Sequence, residues 1–256
     1  MTGDHFEQTV RRHRVVLASS VDDGAFLTAY RALLADVSAV GTVRDDELAR
    51  IVEAHAPFFR NAQQRYLAIE ETAAADALLA SAGATEPDGR GWSAFAEDAY
   101  RRVADLEQVE GFATFGVVVS AGSGALPSTL LWMADHHAAT SYVGLDIDER
   151  CVDVATRLAA CLRLTNVTFV HTDAAAYDYE GTDFVFVANQ VRPKRAVLER
   201  IAGTIGRPVQ VVVREPTEIG RLFAEPVDDL PFGYRIERIG DASRAFLSRD
   251  VFLRLG

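Results

Sequence analysis

The stretch Ser120-Ala121-Gly122-Ser123-Gly124-Ala125-Leu126-Pro127-Ser128-Thr129 sets two glycines in a turn between a β-branched run and a helix-forming segment. Such a turn lets backbone amides approach a polar ligand where a Cβ would stand in the way, although a tight turn with no ligand can look the same. A second run ends in GLDID, so Asp146 or Asp148 lies about 22 to 24 residues beyond Gly124. An acid at that distance can accept hydrogen bonds from ribose hydroxyls. Asp146, nearer the strand end, is preferred, while Asp148 also suits the N-cap of the following helix. His171-Thr172-Asp173-Ala174 then offers an acid followed by a small residue, suited to an adenine amino group or simply to a turn. Asn189, in Val187-Ala188-Asn189-Gln190, brings an amide to the same edge, where ligands of open α/β sheets collect. The expected binding set is Ser120, Gly122, Ser123, Gly124, Leu126, Pro127, Asp146, Ile147, Asp173, Ala174, Asn189 and Arg214.

A second group lies earlier in the chain. Tyr66 and Glu70 are four apart on one helical face, followed by Ala73, Ala74 and Ala77. A carboxylate on such an apolar face has its pKa raised and can take a proton, whereas a solvated glutamate does neither. Tyr66, Glu70 and Asn189 are the expected catalytic residues. Arg214, at the end of the fifth strand, can hold a ligand carboxylate by charge-assisted pairing. His136 and His137 stand at a helix end with no third ligand, so no metal is expected.

These residues need elements to hold them. Ala25–Ala35, Asp45–Ala54, Asn61–Ala82 and Ser93–Val109 favour helix formers, and GATEPDGRG at Gly83–Gly91 breaks the helical pattern. From Phe115 the pattern alternates: FGVVVSA, SYVGLDI, VTFVH, DFVFVAN and PVQVVVR read as strands. Ala125–His137, Glu149–Leu164 and Pro193–Ile205 read as helices between them, which implies a parallel sheet. Tyr234–Ile239 and Arg244–Arg254 have no helix between them and predict an antiparallel hairpin. The fold class is therefore α/β, with a Rossmann-like, mostly parallel sheet after an N-terminal helical region. The expected domains are a helical cover over residues 1–112 and a ligand-binding domain over 113–256. The closing hairpin is that of class I methyltransferase-like folds, and the third glycine of a nicotinamide-binding turn is missing, so the ligand is expected to be S-adenosylmethionine.

The chain has 256 residues, 49% of them hydrophobic, which is ample for a globular core. A net charge of -11 repels nucleic-acid phosphates and anionic lipid, and Arg11, Arg12 and Arg14 read as a solvated face. Neither nucleic acid nor membrane is an expected partner; a small-molecule substrate is, and a homodimer is compatible with the sequence. Cys151 and Cys161, ten apart on one helix, are too distant to join and read as core thiols. No apolar run of signal-peptide or membrane-span length occurs, which predicts a cytoplasmic protein.

The motif GSGALPST resembles the nicotianamine synthase family, whose glycine turn continues into Leu-Pro-Ser/Thr. Val213-Arg214, followed by Gly220-Arg221-Leu222-Phe223-Ala224-Glu225-Pro226-Val227, is similar to the family's pattern after the fifth strand. The likeness spans Phe58 to Val227 and includes a preceding helical region. It implies attack at the γ-carbon of the aminocarboxypropyl arm of S-adenosylmethionine, with methylthioadenosine expelled, and a helical glutamate, matched here by Glu70, facing the reactive end. Family members either transfer the arm to an amine, as in nicotianamine and opine metallophores, or close the ligand's own amine onto it to give azetidine-2-carboxylate. Cyclisation is preferred here, because the acidic chain offers no obvious cluster for a second carboxylate substrate and Asn189 can orient the attacking amine. Transfer to an amino acid and ordinary methyl transfer are the alternatives.

Overall fold

The structure, a computed structural model, describes residues 3–41, 43–82, 114–242 and 247–256. The helix expected over Ser93–Val109 and the loop over Gly83–Gly91 lie outside them.

Three helices come first: α1 (Gly3–Ala18), α2 (Asp23–Ser38) and α3 (Asp45–Ala82). Sequence patterning did not predict α1, yet Phe6, Val10, His13 and Leu17 recur every three or four residues on its one buried face. Its arginines lie on the other side. Arg11 pairs with Glu7 at 2.6 Å, Arg12 pairs with Asp36 at 2.7 Å, and Arg14 lies over the Phe58 ring. Asp22 caps α2 by accepting from the Ala25 amide at 2.8 Å. The two helices expected between Asp45 and Ala82 are a single helix that runs through Pro57. Proline there leaves the carbonyl four residues back without its donor, but Glu53 and Pro57 both face solvent, where water replaces the lost bond.

The strands among the described residues from Val117 onward form one seven-stranded sheet. Its strands are β1 (Val117–Ala121), β2 (Ser141–Asp146), β3 (Val167–His171), β4 (Phe184–Val187), β5 (Val209–Pro216), β6 (Tyr234–Ile239) and β7 (Ser248–Leu255). They lie in the order β3-β2-β1-β4-β5-β7-β6, parallel from β3 to β5, with β7 antiparallel to both β5 and β6. The hairpin expected at the end of the chain is thus present. The chain order reverses between β1 and β4, which leaves a crevice beyond their carboxyl ends.

Helices α4 (Ser128–His136), α5 (Glu149–Cys161) and α6 (Lys194–Thr204) join the parallel strands. Neighbouring strand residues point to opposite faces, so Val118, Tyr142, Phe184 and Phe186 pack with α4, α5 and the end of α3. Val119, Leu145, Val185 and Val211 pack with α6 on the other side. A third cluster joins α1, α2 and the first part of α3 to Leu222, Phe223 and Leu247. Helix α3 therefore belongs to two cores at once. That places its middle turns over the carboxyl edge of the sheet.

The thiols depart from expectation. Cys151 is only half-buried, though burial and the nearby acids push its thiol up to about 12. Cys161, the last residue of α5, is exposed. No described helix is long and apolar enough to cross a membrane.

Candidate functional site

The site begins where β1 ends. Gly122 and Gly124 have φ of +75° and +70°, in the left-handed region that a side chain strains. A Cβ on Gly122 would lie 2.6 Å from Val191, and one on Gly124 would lie 2.4 Å from the Glu71 carboxylate. The turn is thus closed in by the loop after β4 on one side and by α3 on the other. The Gly122 and Ser123 amides both donate to the Leu145 carbonyl, at 2.8 and 2.9 Å, which locks the turn onto β2.

Asp146 and Asp148 divide the roles left open by the sequence. Asp146 accepts from the Gly124 amide at 2.8 Å and, through its other oxygen, from the Asp148 amide at 3.0 Å. Each carboxylate oxygen keeps lone-pair capacity for a further donor such as a ribose hydroxyl. Asp148 caps α5 by accepting from the Arg150 amide. Ile147, between them, is 73% exposed, an aliphatic side chain held in water beside the polar turn.

The other expected binding residues separate into two groups. Asp173 accepts from the Ala175 amide at 2.8 Å in a turn, and the carbonyl of buried Ala174 accepts from the Tyr179 hydroxyl at 2.9 Å. Ser120 is buried within β1, and the buried Ser123 hydroxyl has no hydrogen-bond partner. Leu126 is committed to the core under α4, with Pro127 buried at the entry to that helix. Arg214 lies over the Phe186 ring, 4.9 Å from its centroid. It spans β5 and β7 to Asp250, its register partner, with contacts of 2.9 and 3.2 Å. The guanidinium expected to hold a ligand carboxylate is therefore committed to a structural ion pair.

On α3 the two adjacent glutamates part company. Glu70 pairs with Arg31 of α2 at 2.5 Å, and Tyr66 stacks on Tyr30 with ring centroids 4.5 Å apart. Tyr66 and Glu70 do share one face, but that face meets α2. Burial and the Glu70 charge push the Tyr66 hydroxyl above its ordinary range, with Arg31 opposing. Glu71 instead reaches the glycine turn and accepts from the Ala125 amide at 3.2 Å. The carboxylate over the turn is thus the neighbour of the one singled out in the sequence.

Asn189 lies in the turn two residues beyond β4, where its side-chain oxygen accepts from Lys194 at 3.4 Å. Lys194, which sequence patterning did not single out, has a side chain that is 0% exposed. It also donates to Glu215 at 3.2 Å and to the Glu225 carbonyl at 2.7 Å. Burial lowers its pKa to about 8 against the pull of the Glu215 carboxylate. At the end of α4, His136 stacks on Trp132 and its ring nitrogen meets the Trp132 carbonyl at 2.9 Å.

No family model matches the chain. In sequence it is 32% identical over 123 residues to an L-histidine 2-aminobutanoyltransferase of Pseudomonas aeruginosa, a stretch covering 46% of each protein. The enzyme of the same description from a second strain of that organism is 32% identical over 114 residues, 43% of each. The match spans less than half the length of either relative. Among solved structures, a mutant of MtNAS, a nicotianamine synthase, in complex with S-adenosylmethionine superposes with a TM-score of 0.79 at 16% identity, covering 98% of both chains. MtNAS in complex with MTA and tNA gives 0.79 at 16% identity, covering 99% of this chain and 97% of that one. At such identity the structural likeness shows the fold, and it extends through the N-terminal helices as well as the sheet. The resemblance read from GSGALPST and the segment after β5 is borne out by these neighbours.

Proposed function

We propose that this chain binds S-adenosylmethionine along the carboxyl edge of its sheet and transfers the 3-amino-3-carboxypropyl arm to the amine of an amino-acid acceptor. The observation that carries the reading is Glu71, delivered by α3 onto the same glycine turn that Asp146 grips from the other side. A nucleotide-binding turn has no need of a carboxylate from a separate helical region. An amine nucleophile does, because an α-amino group with a pKa of about 7.7 to 8.0 is largely protonated at neutral pH.

In this reading the left-handed glycines admit the ligand's polar backbone close to the turn, Asp146 accepts from its ribose, and exposed Ile147 lies along its base. Asp173 takes the adenine amino group with the lone pairs left by its turn. Asn189, held by Lys194, faces the amino-acid tail. Glu71 takes the proton from the acceptor ammonium. The freed lone pair forms a bond to the γ-carbon as the sulfur–carbon bond breaks, its electron pair returns to sulfur, and neutral methylthioadenosine leaves. Placement selects this carbon among the three on the sulfonium, because alignment at about 3 to 3.5 Å favours one by several kcal/mol.

Transfer is placed ahead of cyclisation because both sequence relatives are named for an aminobutanoyl transfer and L-histidine. The test is product analysis with S-adenosylmethionine alone and with each proteinogenic L-amino acid. Methylthioadenosine that appears only with an amino acid is the expected result. Azetidine-2-carboxylate from S-adenosylmethionine alone would replace transfer with cyclisation, and S-adenosylhomocysteine would remove both.

A further inference from the structure

Arg60 of α3 and Gln190, just beyond β4, are anchored to one short segment after β5. Arg60 donates to the Arg221 carbonyl at 3.2 Å, and the Gln190 amide nitrogen donates to the Phe223 carbonyl at 3.4 Å. Past these anchors, each presents a buried atom with no partner: the Arg60 Nε, a donor, and the Gln190 Oε1, an acceptor. Buried polar atoms of this kind are uncommon and demand an explanation, for which a bound ligand is a direct candidate.

The charge around them sharpens the point. The chain carries 37 acidic residues against 26 lysines and arginines, yet Arg60 makes no ion pair among the described residues, and neither does Arg192, two positions beyond Gln190. Burial holds the Arg60 guanidinium below its ordinary range; the Arg192 charge acts in the same direction, with Glu225 and Asp228 opposing. The Arg192 charge is thus close enough to act on Arg60, and Arg60 and Gln190 are held to carbonyls two residues apart. The sequence shows no such cluster, because the arginines are more than a hundred residues apart.

Resting on the transfer reading above, we propose that Arg60 and Arg192 bind the α-carboxylate of the acceptor amino acid while Gln190 Oε1 accepts from its amine. A guanidinium matches a carboxylate in charge and in planar geometry. An amide oxygen takes an amine hydrogen and leaves the nitrogen lone pair for attack. The acceptor is therefore a free α-amino acid and not a simple amine.

The experiment compares each L-amino acid that supports methylthioadenosine release with its decarboxylated amine, as with L-histidine and histamine. The wild-type protein should favour the amino acid by roughly tenfold to hundredfold in kcat/KM. Arg60→Gln should erase most of that preference by raising KM for the amino acid alone, with calorimetric affinity for S-adenosylmethionine unchanged. Arg60→Lys, a folded comparator by circular dichroism, should recover part of it. Gln190→Leu should raise KM for amino acid and amine alike. An unchanged preference in Arg60→Gln overturns the assignment, and so does a loss that appears in S-adenosylmethionine affinity instead, since the guanidinium would then hold the donor's own carboxylate. Failure of the transfer reading is seen earlier and separately, in a wild-type protein that releases methylthioadenosine with no acceptor present.

Discussion

Glu71 and Ala125 are 54 residues apart in the chain, and the carboxylate of the first accepts the amide hydrogen of the second at 3.2 Å. This bond ties the helical region to the glycine turn. If Glu71 takes the acceptor's proton, Glu71→Gln keeps the shape and a hydrogen-bonding side chain but removes the base. Turnover should fall by about 10² to 10⁴, the usual scale for loss of a general base, with S-adenosylmethionine affinity within a few fold of wild type. Glu70→Gln, which breaks a partly exposed pair with Arg31, should change turnover far less. Single-turnover product release on both variants checks this; equal effects would remove Glu71 from the mechanism.

Gly124→Ala tests the turn itself. The new methyl group would lie 2.4 Å from the Glu71 carboxylate, at a φ of +70°. The left-handed conformation alone disfavours a Cβ by about 1 to 2 kcal/mol. The carboxylate can swing aside, so the protein should still fold, less stable by about that amount and with weakened nucleotide binding. Urea denaturation and calorimetry on the same preparation separate the two effects.

The strands and the carboxyl-edge turns were legible in the sequence because each strand is a short β-branched run bounded by a helix pattern or a turn. VTFVH and Tyr234–Ile239 match their strands residue for residue. The choice between Glu70 and Glu71 was harder, since it depends on helix phase. Glu71 is in register with Ala75 and Leu78, which pack against the sheet, whereas Tyr66 and Glu70 follow the stripe that meets α2. The stripe could have been read, but nothing in the sequence says which stripe faces the ligand. The Arg214 ion pair was hidden for a different reason: its register partner Asp250 lies on β7, and pairing across a sheet is set by topology. Lys194 gave no signal at all, because its burial follows from the segment around Glu225 closing over it.

Arg214 and Asp250 have side chains only 13% and 10% exposed and sit opposite one another on β5 and β7. Arg214→Met would leave the Asp250 carboxylate buried without its partner, a change that destabilises proteins by about 3 to 5 kcal/mol. S-adenosylmethionine affinity should be unchanged where the variant remains folded. Adding Asp250→Leu should recover much of the lost stability, because two apolar side chains leave no stranded charge. A variant that loses nucleotide affinity while keeping its melting temperature would return Arg214 to the binding site.

Lys194 makes the protein's stability depend on alkaline pH in a direction that can be worked out. Its pKa is lowered to about 8 in the folded chain, mainly by burial, against about 10.4 for an ordinary lysine. Between those values the unfolded chain holds a proton that the folded chain has released, so stability rises with pH across that window. Below about pH 8 the ammonium is charged in both states and its full burial penalty remains. Cys151 and the buried tyrosines Tyr179 and Tyr234 act oppositely, since burial raises their pKa values and the folded chain keeps their protons longer. The lysine is therefore isolated by difference. Lys194→Met should be less stable than wild type by about 3 kcal/mol near pH 7, because Glu215, Asn189 and the Glu225 carbonyl all lose a donor. Above pH 8 the gap between the two proteins should widen, as wild type gains stability that the variant cannot. Urea titrations at pH 7 and pH 9.5 check the sign: an unchanged gap would mean that Lys194 stays protonated in the folded chain, and a narrowing one that its pKa is raised there.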